Sequence, residues 1–238
     1  MSPTAKDALS ALLESAGVGS ELRAPLSLFG ALVLVANRNV NLTGAKSAEA
    51  LAEHLLDSLT VVPYIREPYV DVGSGGGFPG IPVAIATGIC VTLIEATAKK
   101  AAFLEATLER LDLRGNVIPR RAEAVGHEDA YRERFASATA RALSGAATVA
   151  ELTLPLIAPG GVAVLQRGRV DDRERRSLED AALMLGGRIE SEVALEGERR
   201  ILLLEKEHPT PGRFPRRSGI PEKRPLCMEP NVSRRTSR

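Results

Sequence analysis

Ten consecutive residues, Asp71-Val-Gly-Ser-Gly-Gly-Gly-Phe-Pro-Gly80, carry the strongest chemical signal in this 238-residue chain. They follow the β-rich run Tyr69-Val-Asp-Val72 and precede an apolar stretch with helical character over 80–87. Gly73, Gly75 and Gly77 permit positive φ and let the backbone approach a ligand closely. Ser74 lies between the first two and joins the candidate binding set. A glycine turn that merely joins strand to helix is the plain alternative. The acid at Glu95, at the end of the next apolar run and 18 residues after Gly77, argues for more. A carboxylate there can accept two hydrogen bonds from a ribose diol.

Two ligand classes use such a loop: dinucleotides and S-adenosyl-L-methionine. Gly75, Gly77 and Gly80 fit the dinucleotide spacing, in which a helix N-terminus meets a pyrophosphate. Pro79, however, removes an amide donor at that helix start. Asp71 places a carboxylate just before the loop, where it would repel pyrophosphate and favour an ammonium and a sulfonium. These residues favour S-adenosyl-L-methionine, with Asp71, Gly73, Ser74, Gly75, Gly77 and Glu95 at the cofactor.

Alternating strands and helices must position this loop. Apolar runs at 69–72, 90–95, 116–121, 135–142 and 161–166 predict five strands. Residues 97–112 read as a helix with one apolar stripe, Ala101, Leu104, Leu108 and Leu111; 145–157 and the charged 171–185 read as two more, and Ala158-Pro-Gly-Gly161 ends the second of the three. Residues 188–195 and 199–207 predict a closing antiparallel pair. The fold class is α/β: a Rossmann-like methyltransferase sheet, mostly parallel, with an N-terminal helical extension. Residues 1–66 form that extension, 67–207 the methyltransferase domain and 208–238 a basic tail expected to be flexible. Residues 35–44, rich in Asn, read as a loop or helix end, and the cap at Ser47 lacks an acid three residues on.

Bulk properties exclude several classes. Hydrophobic residues make up 44%, so the chain is not wholly disordered. With five Phe, three Tyr and no Trp, base stacking on aromatic platforms is disfavoured. Cys90 and Cys227 give no disulfide framework and no zinc spacing. Cys90 reads as a small core residue at a strand start. No signal-peptide pattern and no apolar run of about 18 residues are present, so a cytoplasmic protein without membrane contact is expected. From Lys206 onward nine Lys or Arg face three acids, a net +6.

The loop and its extension, Asp71 to Pro82, resemble the signature of the glucose-inhibited division protein B family. These are bacterial small-subunit ribosomal RNA (guanine-N7) methyltransferases. The resemblance extends to Asn39-Val-Asn-Leu-Thr43, His54-Leu-Leu-Asp-Ser-Leu59, Ile94-Glu-Ala, Lys99-Lys100, Phe103-Leu104, Arg121-Ala-Glu123, Arg141-Ala142, Pro159-Gly-Gly161 and Pro215–Pro221. It implies a seven-stranded sheet and S-adenosyl-L-methionine as cofactor. It implies Gly73 and Phe78 against the cofactor, Glu95 on the ribose, and Ala122 and Glu123 beside the adenine. Arg141 would line the site near the methyl donor or the RNA and joins the cofactor-binding set. The family commonly has Trp-Asn where this chain has Ala36-Asn37, and Lys-Gly where it has Arg167-Gly168. Charge is kept at Arg167, but the planar fork of arginine differs from an ammonium.

The implied acceptor is N7 of a guanine in 16S ribosomal RNA, free or within the small subunit, methylated by a monomer. N7 already holds a lone pair, so no general base is needed and positioning supplies most of the effect. Arg141 and Arg167 are the candidates for holding the RNA. His54, His127 and His208 read as surface or capping residues. Lys99, Lys100, Arg120, Arg121 and the tail are candidate phosphate contacts. Methylation of another RNA or of a small molecule, an NAD-dependent oxidoreductase and a non-catalytic ribosome-binding module are the competing readings.

Overall fold

The computed structural model describes residues 4–141 and 144–227. Its centre is a seven-stranded sheet in the order β3-β2-β1-β4-β5-β7-β6. The strands are β1 (Tyr69–Val72), β2 (Val91–Ile94), β3 (Gly115–Ile118), β4 (Phe135–Arg141), β5 (Ile157–Arg167), β6 (Gly187–Ala194) and β7 (Arg200–Lys206). The first five run parallel; β7 pairs antiparallel with both β5 and β6. Chain order reverses between β1 and β4, which places the ligand edge at their carboxyl ends.

Successive residues of each strand face opposite sides, and both sides are covered. Val70, Val72, Ala163, Leu165, Leu202 and Leu204 belong to one apolar cluster. Tyr69, Val162, Val164, Ile201 and Leu203 belong to the other. This explains the near-continuous apolar runs: a strand buried on two faces has no polar phase.

The second cluster is closed by α1 (Ala5–Ser15), α2 (Ser20–Val40), α3 (Ala48–Leu59), α4 (Gly80–Thr87) and α5 (Ala98–Arg110). Thr4 and Asp7 form a reciprocal capping box at α1. Ser47 caps α3 by accepting the Ala50 amide at 3.3 Å. The Asn-rich stretch is the end of α2, which turns at Asn41 with φ 51°. There the Asn37 carboxamide accepts from the amides of Leu42 (2.6 Å) and Thr43 (3.0 Å) and donates to the carbonyls of Thr43 (2.9 Å) and Ala45 (3.1 Å). Four bonds from one side chain fix the loop that supports the glycines.

The opposite face carries α6 (Ala122–Val125), α7 (Ala146–Thr153) and α8 (Asp172–Met184). Three expectations change here. The Ala158–Gly161 segment does not stop a helix. α7 ends at Thr153, a 3₁₀ turn covers Leu154–Leu156, and β5 has begun at Ile157, with 158–161 in a shift of register against β4. Cys90 precedes β2 and is exposed, so it is no core residue.

The third change is the tail. Residues 208–227 have little regular structure beyond α9 (Ile220–Lys223), yet they pack tightly. Phe214 is 3% exposed and Leu226 7%. The Arg132 guanidinium donates to the carbonyls of Thr210 (2.6 Å), Gly126 (2.7 Å) and Phe214 (2.8 Å). Lys206, wholly buried, donates to Leu154 O at 2.8 Å and to Thr210 Oγ1. Residues 228–238, the rest of the expected flexible tail, lie outside the described residues, as does Ala142.

Candidate active site

The glycine loop follows β1 and leads into α4. Gly73, Gly75 and Gly77 have φ of 71°, 56° and 93°. The amides of Gly73 and Ser74 both donate to Ile94 O, at 2.9 and 3.0 Å, which clamps the loop to the end of β2. The five glycines serve different ends. A Cβ on Gly76 would meet Leu42 O at 3.1 Å, on the loop held by Asn37. One on Gly77 would meet Ile81 Cγ1 at 2.8 Å and Phe29 Cζ at 3.2 Å. Around Gly75 the nearest atom is Gly73 O at 3.8 Å. Gly76 and Gly77 thus let the helical extension pack beneath the loop, and Gly75 faces open space.

Asp71 does not project toward a ligand. Its side chain is 1% exposed, accepts from Thr139 Oγ1 at 2.7 Å and from the Gly80 amide at 3.3 Å. The Ser74 hydroxyl turns back to Asp71 O at 3.0 Å. Burial pushes the Asp71 carboxyl up to about 6, against the hydrogen bonds from Thr139, Ser74 and Gly80. Asp71 therefore ties β1 to β4 and to the start of α4. The expected repulsion of pyrophosphate by its carboxylate is not what selects the ligand.

Beside the loop is a cavity of about 200 Å³, lined by Gly73, Glu95, Ala122 and Glu123 among others. Glu95 is 7% exposed; its carboxylate accepts from Gly75 N (2.9 Å) and Thr97 N (2.7 Å). A carboxylate has about four lone-pair sites. Two backbone bonds fix its orientation and leave acceptor capacity at the cavity for a pair of vicinal hydroxyls. Ala122 and Glu123 are both buried at the start of α6. Arg121, their exposed neighbour, lines the same cavity, while Arg120 is paired with Glu128. A nucleoside with a ribose and a flat base fits this donor set.

At the carboxyl end of β4 a second, wider opening of about 670 Å³ lies against α3, lined by His54, Asp57, Thr60, Arg141 and Arg199. The Arg141 guanidinium carbon sits 5.0 Å from the Phe78 ring centroid, and His54 meets the same ring edge-on at 5.7 Å. Asp57 gathers the polar groups: Arg141 Nη1 at 3.2 Å, Arg199 Nη1 at 3.3 Å and Gln166 Nε2 at 3.1 Å. Burial, reinforced by Arg141, lowers the His54 pKa from its ordinary value. A neutral ring lets Nδ1 accept from Thr43 Oγ1 (3.3 Å) and Arg141 Nη2 (3.4 Å). Burial likewise lowers Arg141, with Asp57 opposing. Arg167 lies on the adjoining wall, donating to Ser144 O and to Glu174 Oε1 at 2.5 Å.

Two hollows on one sheet edge take part of the predicted set; Asp71, Ser74, Gly75 and Gly77 line neither. Gly73, Glu95, Ala122 and Glu123 border the first. Arg141 borders the second, Phe78 lies beneath its guanidinium, and Arg167 lines a separate opening that adjoins it. Sequence reasoning missed His54, Asp57 and Arg199. The first two stand three residues apart on α3 and so share a helix face. That spacing was visible in His54-Leu-Leu-Asp57, although their distant partner Arg141 was not. Among the described residues no cluster of His, Cys, Asp and Glu could hold a metal ion.

Residues 23–203 match the family model described as rRNA small subunit methyltransferase G. The ribosomal RNA small subunit methyltransferase G of Rubrobacter xylanophilus is 41% identical, covering 94% of this chain and 92% of that protein. The protein of the same name from Dehalococcoides mccartyi is 40% identical over 80% of this chain and 86% of its own. Among solved structures, the mitomycin 7-O-methyltransferase MmcR has a TM-score of 0.55 at 13% identity, covering 84% of this chain and 67% of its own. The ribosomal protein L11 methylase of Lactobacillus delbrueckii subsp. bulgaricus has a TM-score of 0.52 at 13% identity, over 66% of this chain and 80% of its own. These two share the fold, and the sequence match assigns the chain to the rRNA small subunit methyltransferase G family.

Proposed function

We propose that this protein transfers the methyl group of S-adenosyl-L-methionine to N7 of a guanine in 16S ribosomal RNA. One observation carries the reading. The ribose-type cavity at Glu95 and the arginine-lined opening at Arg141 lie on the same sheet edge, at the ends of β1, β2 and β4. Family membership supports the same assignment.

Glu95 would hold the ribose, and Gly73, Ala122 and Glu123 would border the nucleoside. The cofactor supplies an electrophilic methyl group. Guanine N7 needs no deprotonation, so the chain's work is to align the base and to accommodate charge. The Phe78 ring gives a flat apolar support. Arg141, oriented by Asp57, can donate to the guanine O6 beside N7. Positive charge arrives on the purine as N7 is alkylated, and the Asp57 carboxylate lies on that side. Arg167 and Arg199 extend the cationic wall toward the RNA backbone.

The direct experiment incubates the protein and labelled S-adenosyl-L-methionine with small subunits that lack N7-methylguanosine. Label should appear in N7-methylguanosine of the 16S RNA and be absent with Gly73→Asp. Cofactor binding without transfer to subunits or naked RNA would overturn the acceptor assignment.

A further inference from the structure

The C-terminal segment shares a cavity with Glu95. Pro221 and Glu222, at the start of α9, line the same 200 Å³ hollow as Gly73 and Ala122. They are nearly 130 residues beyond Glu95 in sequence, and nothing in the glycine motif implies them.

Three residue pairs seat this wall, and each runs to an element of the site itself. The Gly219 amide donates to Glu123 Oε1 at 2.8 Å, so the acid at the base end of the hollow takes its orientation from the segment. The Thr148 hydroxyl, another lining group, donates to Pro221 O at 2.9 Å. The anchor is Arg216. Its Nε and Nη2 bond both oxygens of Glu151, at 2.8 and 2.6 Å, and its backbone amide adds a third bond at 2.8 Å. Glu151 is wholly buried on α7. A buried carboxylate requires such a partner, so this joint is specific. Gly219, at φ 77°, is the hinge that turns the chain from Arg216 onto the cavity.

We infer that residues 216–222 are part of the cofactor site: the segment forms its outer wall and positions Glu123, so that docking of the segment and cofactor binding stabilise one another. The inference rests on the proposed cofactor reading of this cavity. By linkage, a wall held only in the docked state makes the cofactor bind more tightly, and the bound cofactor holds the wall in place. The segment's cations, Arg216 above all, then serve the cofactor side, not the RNA.

The test uses the full chain. Titration with S-adenosyl-L-methionine should give a dissociation constant at least ten-fold weaker for Arg216→Ala than for wild type, with Arg216→Lys in between. In steady-state assays the KM for cofactor should rise in the same order, with kcat and the KM for small subunits little changed. Hydrogen exchange on the wild-type chain reads the coupling without any substitution. Amides over 216–222 should exchange several-fold more slowly with saturating cofactor, while the β6–β7 turn at 195–199 stays unchanged. Tight wild-type binding with no slowing and an unaltered Arg216→Ala constant would overturn this inference alone. Absence of binding by the wild-type chain would overturn it together with the cofactor reading.

Discussion

The guanidinium of Arg141 lies over the face of Phe78, 5.0 Å from carbon to centroid, although the two residues are 63 positions apart. Phe78 comes from the glycine loop and Arg141 from the end of β4, so the contact forms only if β1 and β4 are neighbours in register. Asp71 pairs with Thr139 there, in both strand register and side-chain bond. The stacked pair therefore reports the alignment of the two hollows.

Arg141→Lys should lower kcat/KM for methyl transfer about 10- to 100-fold. The ammonium keeps the charge but loses the planar stack and one of two directed contacts, together worth about 1.5–3 kcal/mol in a partly desolvated site. The KM for cofactor should hardly move, because Arg141 is absent from the Glu95 cavity. Initial rates with each substrate varied separate the two constants. A drop confined to cofactor affinity would contradict the assignment.

Asp71 makes a pH prediction with a definite sign. Its carboxyl titrates near 6 in the fold and near 3.8 when exposed. Between these values the unfolded chain has released the proton and the native state retains it. This contribution to stability is fully present below about pH 3.8 and is lost as pH rises through about 6. Its size is on the order of 3 kcal/mol. Denaturant unfolding of wild type and Asp71→Asn across pH 4–7.5 should show the wild type losing ground to the variant as pH rises. A constant difference would mean that Asp71 ionises normally.

Gly77 and Gly75 should respond unequally to a single methyl group. At Gly77 the added carbon meets Ile81 at 2.8 Å and Phe29 at 3.2 Å, on a backbone with φ 93°. Strain and overpacking together should cost on the order of 3 kcal/mol. At Gly75, with φ 56° and no atom nearer than 3.8 Å, only the backbone preference of about 1 kcal/mol applies. Thermal melting of Gly77→Ala and Gly75→Ala tests the order. Equal losses would show that the extension does not pack against Gly77 as described.

These contrasts show what the sequence could reveal. The strand-loop-helix unit around Gly73 was legible because strand ends, glycine positions and an apolar helix start all lie within twenty residues. Helix α5 announced itself by its apolar stripe, Ala101, Leu104 and Leu108. Residues 208–227 did not, because polar joints hold them: Arg132 on three carbonyls, Arg216 on Glu151, Lys206 on Thr210. Such pairs follow no period: Glu151 lies 65 residues from Arg216, and Arg132 reaches backbone carbonyls. Cys90 misled for a related reason. The apolar run implied that burial began with it, whereas burial begins one residue later, at Val91. Asp71 stood out before the glycines, but composition cannot tell an acid that faces a ligand from one that fastens two strands.

Asp57 offers the sharpest separation of chemistry from binding. It joins Arg141, Arg199 and Gln166, and it lines the wider opening and the one adjoining it but not the Glu95 cavity. Asp57→Asn keeps the shape and an acceptor oxygen but deletes the charge. Arg141, largely desolvated, then lacks its counter-ion, and the acceptor side no longer offsets the charge gained by the purine. If the negative charge matters chiefly as N7 is alkylated, kcat should fall about 10²- to 10³-fold, the range found when one preorganised electrostatic contact is removed. The KM for cofactor should stay within about two-fold, since Asp57 does not touch the Glu95 cavity. Single-turnover methylation at saturating cofactor measures this step directly. An unchanged single-turnover rate with weaker subunit binding would reassign Asp57 to holding RNA through Arg141 and Arg199, and would leave charge accommodation to other groups.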